Sequence, residues 1–338
     1  MTGRPAPRAP GAGAQRAAIV YDEAYLSHDT GSHPENAARL RAIWTRLEGT
    51  ELRSRLDLVR PRRASLESVK WAHTGDHVER VRRHAARGHP LSLDTPVCRE
   101  SYAVALLSAG GAIAAVDEVL DDRRDLAFCL GRPPGHHAGV EQAGGFCLFN
   151  NVAIATFHAL YRYRLERILI LDWDAHHGNG TQEIFYRDPR VLYFSIHQSP
   201  GYPGTGSSGE TGAGTGRGYT MNVPLAPGGT DGDYRDIMDT TLAEACAQYR
   251  PQLILVSAGQ DAHRCDPLAS MRLSSSAFGM MTRRARALAD AHCYGKMVLV
   301  LEGGYQPDAL AESVVEILSA LTDRHPGCGT IERADIHL

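Results

Sequence analysis

No apolar run in this chain approaches the ~18 residues that a membrane helix needs, so a membrane protein is not expected. No CxxC pair occurs among the seven cysteines, at 98, 129, 147, 246, 265, 293 and 328. Their odd number and scattered spacing argue against a disulfide framework and for free thiols in a reduced, cytoplasmic protein. No long basic run is present and the formal net charge is −3, so nucleic acid is not the expected partner. The first sixteen residues are rich in Pro, Gly, Ala and Arg and lack the apolar core of a signal peptide. Residues 1–16 therefore read as a disordered tail, and 17–338 as one domain. No internal repeat or composition shift divides the rest.

What is present is an alternation. Short apolar runs that read as buried strands, 17–20, 126–130, 168–171, 191–196, 253–257 and 297–301, alternate with helix-like segments at 36–47, 101–120, 151–163, 233–249, 277–292 and 308–321. This pattern predicts an α/β domain with three layers, a mostly parallel central sheet covered by helices on both faces. The Gly/Ser/Thr-rich stretch 201–218 has strand–helix alternation on both sides and reads as a loop lining a site. Reactive groups follow the strands. His136-His137 comes after 126–130 and a Pro-Pro-Gly turn, Asp172-Trp173-Asp174-Ala175-His176 after 168–171, and His197 after 191–196. Asp261 follows 253–257, and Tyr305 follows Gly303-Gly304 after the last strand. In open parallel sheets the C-terminal strand ends form the ligand-binding rim, so these groups are expected to converge.

Asp174 and His176 are two residues apart and face the same side of an extended backbone. With Asp261 as the natural third ligand they make two carboxylates and one imidazole, a donor set for zinc or iron(II) that leaves a position open for water. His136 and His137 are placed to move protons near neutral pH, with Asp172 and Asn179 available to fix their tautomers. Tyr305 could donate to an oxyanion.

The motifs Arg132-Pro133-Pro134-Gly135-His136-His137, Gly145-Phe146-Cys147-Leu148-Phe149-Asn150-Asn151, Asp172 to Thr181, Tyr202-Pro203-Gly204-Thr205-Gly206, Ser257 to His263 with Asp266-Pro267-Leu268, Leu301 to Tyr305, and an earlier His33-Pro34-Glu35 run in a recognisable order. The chain resembles the zinc-dependent histone deacetylase and acetylpolyamine amidohydrolase superfamily, which has the arginase/deacetylase fold, and is similar to its class II branch. The resemblance implies a deacetylase domain that hydrolyses the amide of acetyl-lysine or another N-acylated amine. It implies zinc on Asp174, His176 and Asp261, proton transfer by His136 and His137, chiefly His137, and carbonyl polarisation by Tyr305. It implies a substrate tunnel walled by Gly145, Phe146, Tyr202, Leu268 and Gly304, with Asp94 at the rim. It further implies a structural potassium ion on Asp172, Ser195 and the carbonyls of Asp174 and His176, and is compatible with a homo-oligomer. Three departures stand out: Gln260 before the ligand Asp, Tyr202 in place of a usual Phe, and Asn179 where class I has Asp.

Two other classes compete. An arginase-like ureohydrolase with two metals needs extra carboxylates, and Asp261-Ala262-His263 offers one. An inactive acyl-lysine-binding scaffold would be expected to lose a ligand or Tyr305. Within the enzyme reading, an acetylpolyamine amidohydrolase is the alternative, and Leu268 stands where polyamine-selective relatives place a Glu.

Overall fold

A computed structural model of the chain describes residues 17–323. The expectations for 1–16, for 324–338 and for Cys328 lie outside the described residues. Eight strands form one sheet: β1 (Ala17–Val20), β2 (Leu56–Val59), β3 (Leu126–Cys129), β4 (Ile168–Asp172), β5 (Val191–Gln198), β6 (Thr220–Leu225), β7 (Leu253–Ala258) and β8 (Met297–Leu301). Their order is β2-β1-β3-β8-β7-β4-β5-β6. Every pairing is parallel. Ten α-helices connect them: α1 (Ala38–Glu48), α2 (Leu66–Val69), α3 (Gly75–Arg87), α4 (Ser101–Leu120), α5 (Asn151–Arg162), α6 (Asn179–Phe185), α7 (Asp231–Ile237), α8 (Ala243–Tyr249), α9 (Ser275–Cys293) and α10 (Pro307–Thr322).

The strand side chains alternate between two cores, as the period of two demands. Leu169 and Leu171 of β4 join one core with Leu40 and Ile43 of α1, Phe278 of α9 and Val314 of α10. Ile168 and Ile170 join the other with Val78 of α3, Ala109 of α4, Val152 of α5 and Phe185 of α6. Both faces are therefore covered, and β1, β3, β4, β7 and β8 are buried along their whole length.

Several expectations need correction. β2 and β6 escape detection because they are edge strands. Asp57 is exposed on one, and Pro224 interrupts the apolar pattern of the other. The helix expected over 233–249 is α7 and α8 joined by a π-helical turn, Met238–Leu242. By length and composition α4 would suffice to cross a membrane, against the expectation that no such run exists. Its buried positions belong to the protein core, packed on α5 and β3.

Candidate active site

The carboxylates of Asp174 and Asp261 meet beyond the ends of adjacent strands β4 and β7. Asp174 Oδ2 accepts the Gly303 N–H at 2.8 Å and Oδ1 the His176 N–H at 2.9 Å. Asp261 Oδ1 accepts the Ala175 N–H at 2.8 Å. His176 Nδ1 lies 2.9 Å from Asp261 Oδ2 and 3.2 Å from Asp174 Oδ1. One ligand atom from each of the three residues lies within 4.8 Å of the others. Glycine is required around them. A Cβ at Gly259 would stand 2.0 Å from Asp174 Oδ2, and one at Gly303 2.2 Å from Asp261 Oδ2.

This arrangement fits a divalent cation. Burial would raise the Asp174 carboxyl, but His136 and His176 outweigh it and hold it well below the carboxylate range. Burial and the facing charge of Asp174 push Asp261 up to about 7. Burial would lower His176, but Asp261 and Asp174 push it up to about 11. Two buried carboxylates and a cationic imidazole crowd one point, and a dication there would let both acids ionise and the imidazole give up its proton. His176 Nε2 lies 3.3 Å from the Leu268 carbonyl, a partner that leaves the Nδ1 lone pair for a metal. The arginase-type alternative finds no second centre. Among the described residues one such group occurs, and His263 turns away, its Nε2 3.2 Å from Ser275 Oγ.

The His136 and His137 rings lie 4.0 Å apart, centroid to centroid. His136 Nδ1 is 3.1 Å from Asp172 Oδ2. Burial would lower this imidazole, but Asp174 and Asp172 outweigh it and push it up to about 10. His137 Nδ1 is 2.8 Å from Asn179 Oδ1. Burial, His136 and His176 hold His137 well below its ordinary value. Both imidazoles thus find the partners expected of them. Asp172 Oδ2 also accepts the Tyr193 hydroxyl at 3.1 Å. Ser195, its register partner on β5, is engaged 2.8 Å from His197 Nδ1.

Tyr305 is set by contacts that sequence reasoning missed. Its N–H donates to Asp266 Oδ2 at 2.6 Å. The buried Arg39 guanidinium lies 4.9 Å from the centre of its ring. Arg39 donates to the carbonyls on either side of Gly303, reaching Gly304 O from Nε at 2.7 Å and Glu302 O from Nη2. Its charge is answered by Glu35 Oε1 at 3.2 Å, and Arg132 grips the same carboxylate with two bonds of 2.8 and 2.9 Å. The available signal was the i, i+4 spacing of Glu35 and Arg39 entering α1. Burial keeps the Tyr305 phenol well above its ordinary value, so it is a proton-bearing donor.

The predicted tunnel residues gather around this centre. Phe146, at φ +70°, stands edge-on to Tyr305 with centroids 5.3 Å apart. Tyr202 stands edge-on to His137 at 5.0 Å and donates to Asp94 Oδ2 at 3.3 Å. Asp94 also accepts the Gly145 N–H at 3.2 Å. Leu268 is exposed beside His176. Gly304, at φ +115°, lies behind the tyrosine, where a Cβ would meet Leu310 and Gln260. His197 does not join the centre. It is buried, and its Nε2 lies 2.9 Å from Gly206 O, so it ties down the glycine-rich loop. Gln260, the departure before Asp261, is buried and donates to Ala258 O at 2.7 Å.

Comparison with known proteins gives the family. The histone deacetylase domain model matches residues 33–321. A probable deacetylase of Archaeoglobus fulgidus is 44% identical over 307 residues, 90% of this chain and 85% of the relative. A histone deacetylase-like amidohydrolase of Pseudomonas aeruginosa is 41% identical over 317 residues, 86% of this chain and 82% of the relative. A solved structure described as "Crystal Structure of HDA15 HD domain" matches with a TM-score of 0.86 and 35% identity, over 91% of this chain and 89% of that one. The chain therefore belongs to the histone deacetylase domain family and has its α/β fold.

Proposed function

We propose that this protein is a metal-dependent amidohydrolase that removes an acetyl or other short acyl group from an acylated amine, with acyl-lysine favoured and acetylpolyamines the alternative. The observation that carries the reading is the Asp174–His176–Asp261 group, with the His137 ring 6.2 Å from that of His176 and Tyr305 held across Phe146. A zinc or iron(II) ion bound there supplies Lewis-acid polarisation of a carbonyl and a water of lowered pKa. His137, with Nδ1 turned to Asn179, offers Nε2 to take the water's proton and return it to the leaving amine. His136, backed by Asp172, stabilises the negative charge that builds up beside it. The Tyr305 hydroxyl donates to the carbonyl oxygen as its charge grows. Phe146 and Tyr202 would flank an apolar lysine stem, and Leu268 offers no charge to a distal amine. Asp172 and Ser195 would serve a structural potassium ion, and the six free thiols among the described residues suit a reducing cytoplasm.

The test is a panel of fluorogenic acyl-lysines and acetylated polyamines given to zinc-loaded protein. Acetyl-lysine turnover that disappears on chelation and returns with zinc is expected. Turnover of polyamines alone would move the assignment to the alternative, and turnover of neither would sink it.

A further inference from the structure

Glu302 is fully buried at the end of β8, and its carboxylate faces none of the substrate groups considered above. Its Oε2 accepts two consecutive backbone donors, the Gly135 N–H at 2.6 Å and the His136 N–H at 3.1 Å. Its Oε1 lies 3.4 Å from Ser257 Oγ on β7. Arg39 reaches the carbonyl of this residue and not its carboxylate. The groups that bond to the acid are neutral, and the charge that acts on it is that of the His136 imidazole, so this burial is expensive unless the bonds it makes are needed. The turn that it caps is tightly enclosed: a Cβ at Gly135 would stand 2.5 Å from Asn151 N.

We infer that Glu302 is a positioning residue for proton transfer: by holding the Gly135–His136 peptide it fixes the His136–His137 pair against the segment that carries Tyr305. The two halves of the chemistry come from strands β3 and β8, which are neighbours in the sheet but whose loops leave it separately. Glu302 is a side-chain bond between those loops. Its backbone belongs to the segment that Arg39 clamps at 302 and 304, so one residue is fixed to the phenol's loop through its main chain and to the imidazoles' loop through its carboxylate. A loosened turn would let His137 drift from its bond to Asn179, and a displacement of about 1 Å can cost ~10²-fold in rate. The inference rests on the proposed acyl-amine hydrolysis.

Two substitutions separate reach from charge. Glu302→Gln keeps the length and an oxygen that can accept both N–H groups, and its amide can donate to Ser257 Oγ. Glu302→Asp keeps the charge but is one methylene too short. Zinc-loaded Glu302→Gln is expected to keep kcat within about threefold, while Glu302→Asp loses about 10- to 100-fold in kcat, with KM and zinc content close to those of the parent in both. A Gln variant that falls as far as the Asp variant would show that charge is what matters and overturn the inference. So would an Asp variant with undiminished kcat, or a loss in either variant that tracks loss of zinc. Failure of the parent protein to hydrolyse any acyl-lysine would strike the proposed function instead.

Discussion

His136 and His137 are adjacent in the chain and 4.0 Å apart in space, yet one imidazole leans on a carboxylate, Asp172, and the other on a carboxamide, Asn179. A carboxylate partner favours the protonated ring, and a carboxamide leaves it neutral. In the proposed function the pair is divided into a standing positive charge and a base. His137→Ala should therefore lower kcat by about 10²-fold or more with zinc retained. Asn179→Asp should give His137 a charged partner and move the acidic limb of the kcat/KM–pH profile to higher pH. An unmoved limb would take His137 out of the base role.

Metal binding should depend on residues that never touch the metal. Asp261→Ala removes a ligand outright. Gly259→Ala removes none, but its Cβ would displace Asp174 Oδ2. Both variants are expected to be isolated with much less than the roughly one zinc per chain that a single three-ligand site implies. Metal analysis of the purified proteins decides, and a fully loaded Gly259→Ala would mean that the two loops can part without cost.

Tyr305→Phe keeps the ring that Arg39 and Phe146 hold and deletes only the hydroxyl. Turnover should fall by about 10²–10³, or roughly 3–4 kcal/mol, with zinc content and substrate binding little changed. A variant that turns over normally but binds substrate weakly would make Tyr305 a wall residue.

Folding stability should decline on mild acidification. His73 donates from Nδ1 to Gly139 O at 2.8 Å and accepts the Asn150 N–H on Nε2 at 2.9 Å, so only the neutral ring fits. Burial lowers it to about 3, and burial lowers His28 to about 4, from an ordinary 6.5. Below pH 6.5 the unfolded chain takes up protons that the folded protein refuses. The stability that these two histidines contribute is then complete above that pH and is lost toward pH 4, at up to about 1.4 kcal/mol per pH unit for each. Glu35, which burial would raise but Arg132 holds at about 2, adds its own loss only below pH 4.5. Urea titrations from pH 7.5 to 5 measure the slope. His73→Gln should flatten it by about one proton, and an unaltered slope would contradict the assignment.

Much of the site was legible because its chemistry is strung on buried strands. Ile168–Leu171 and Leu253–Ser257 announce themselves as apolar runs, and a parallel sheet leaves Asp174, His176 and Asp261 at one rim. The edges of the sheet were not legible, since β2 and β6 lack a second buried face. Neither were residues that act at a distance in sequence. The Glu35–Arg39 spacing signals an ion pair but not that Arg39 will lie beneath Tyr305, 266 positions later, because that contact exists only once α1 packs against α10. His197 misled for the opposite reason: it follows an apolar run as the candidate site residues do, but its strand continues past it.

One consequence of an all-parallel sheet concerns attachment. β1 begins at the rim opposite the chemistry, and α10 returns there from β8, its last residue, Thr322, accepting a bond from Arg55 just before β2. The two ends of the described chain therefore leave from the underside, separated from the catalytic mouth by the height of the sheet, about 15 Å for a five-residue strand. A carrier domain, an affinity handle or a solid support joined directly at Ala17 or Asp323 would leave the mouth facing free solution.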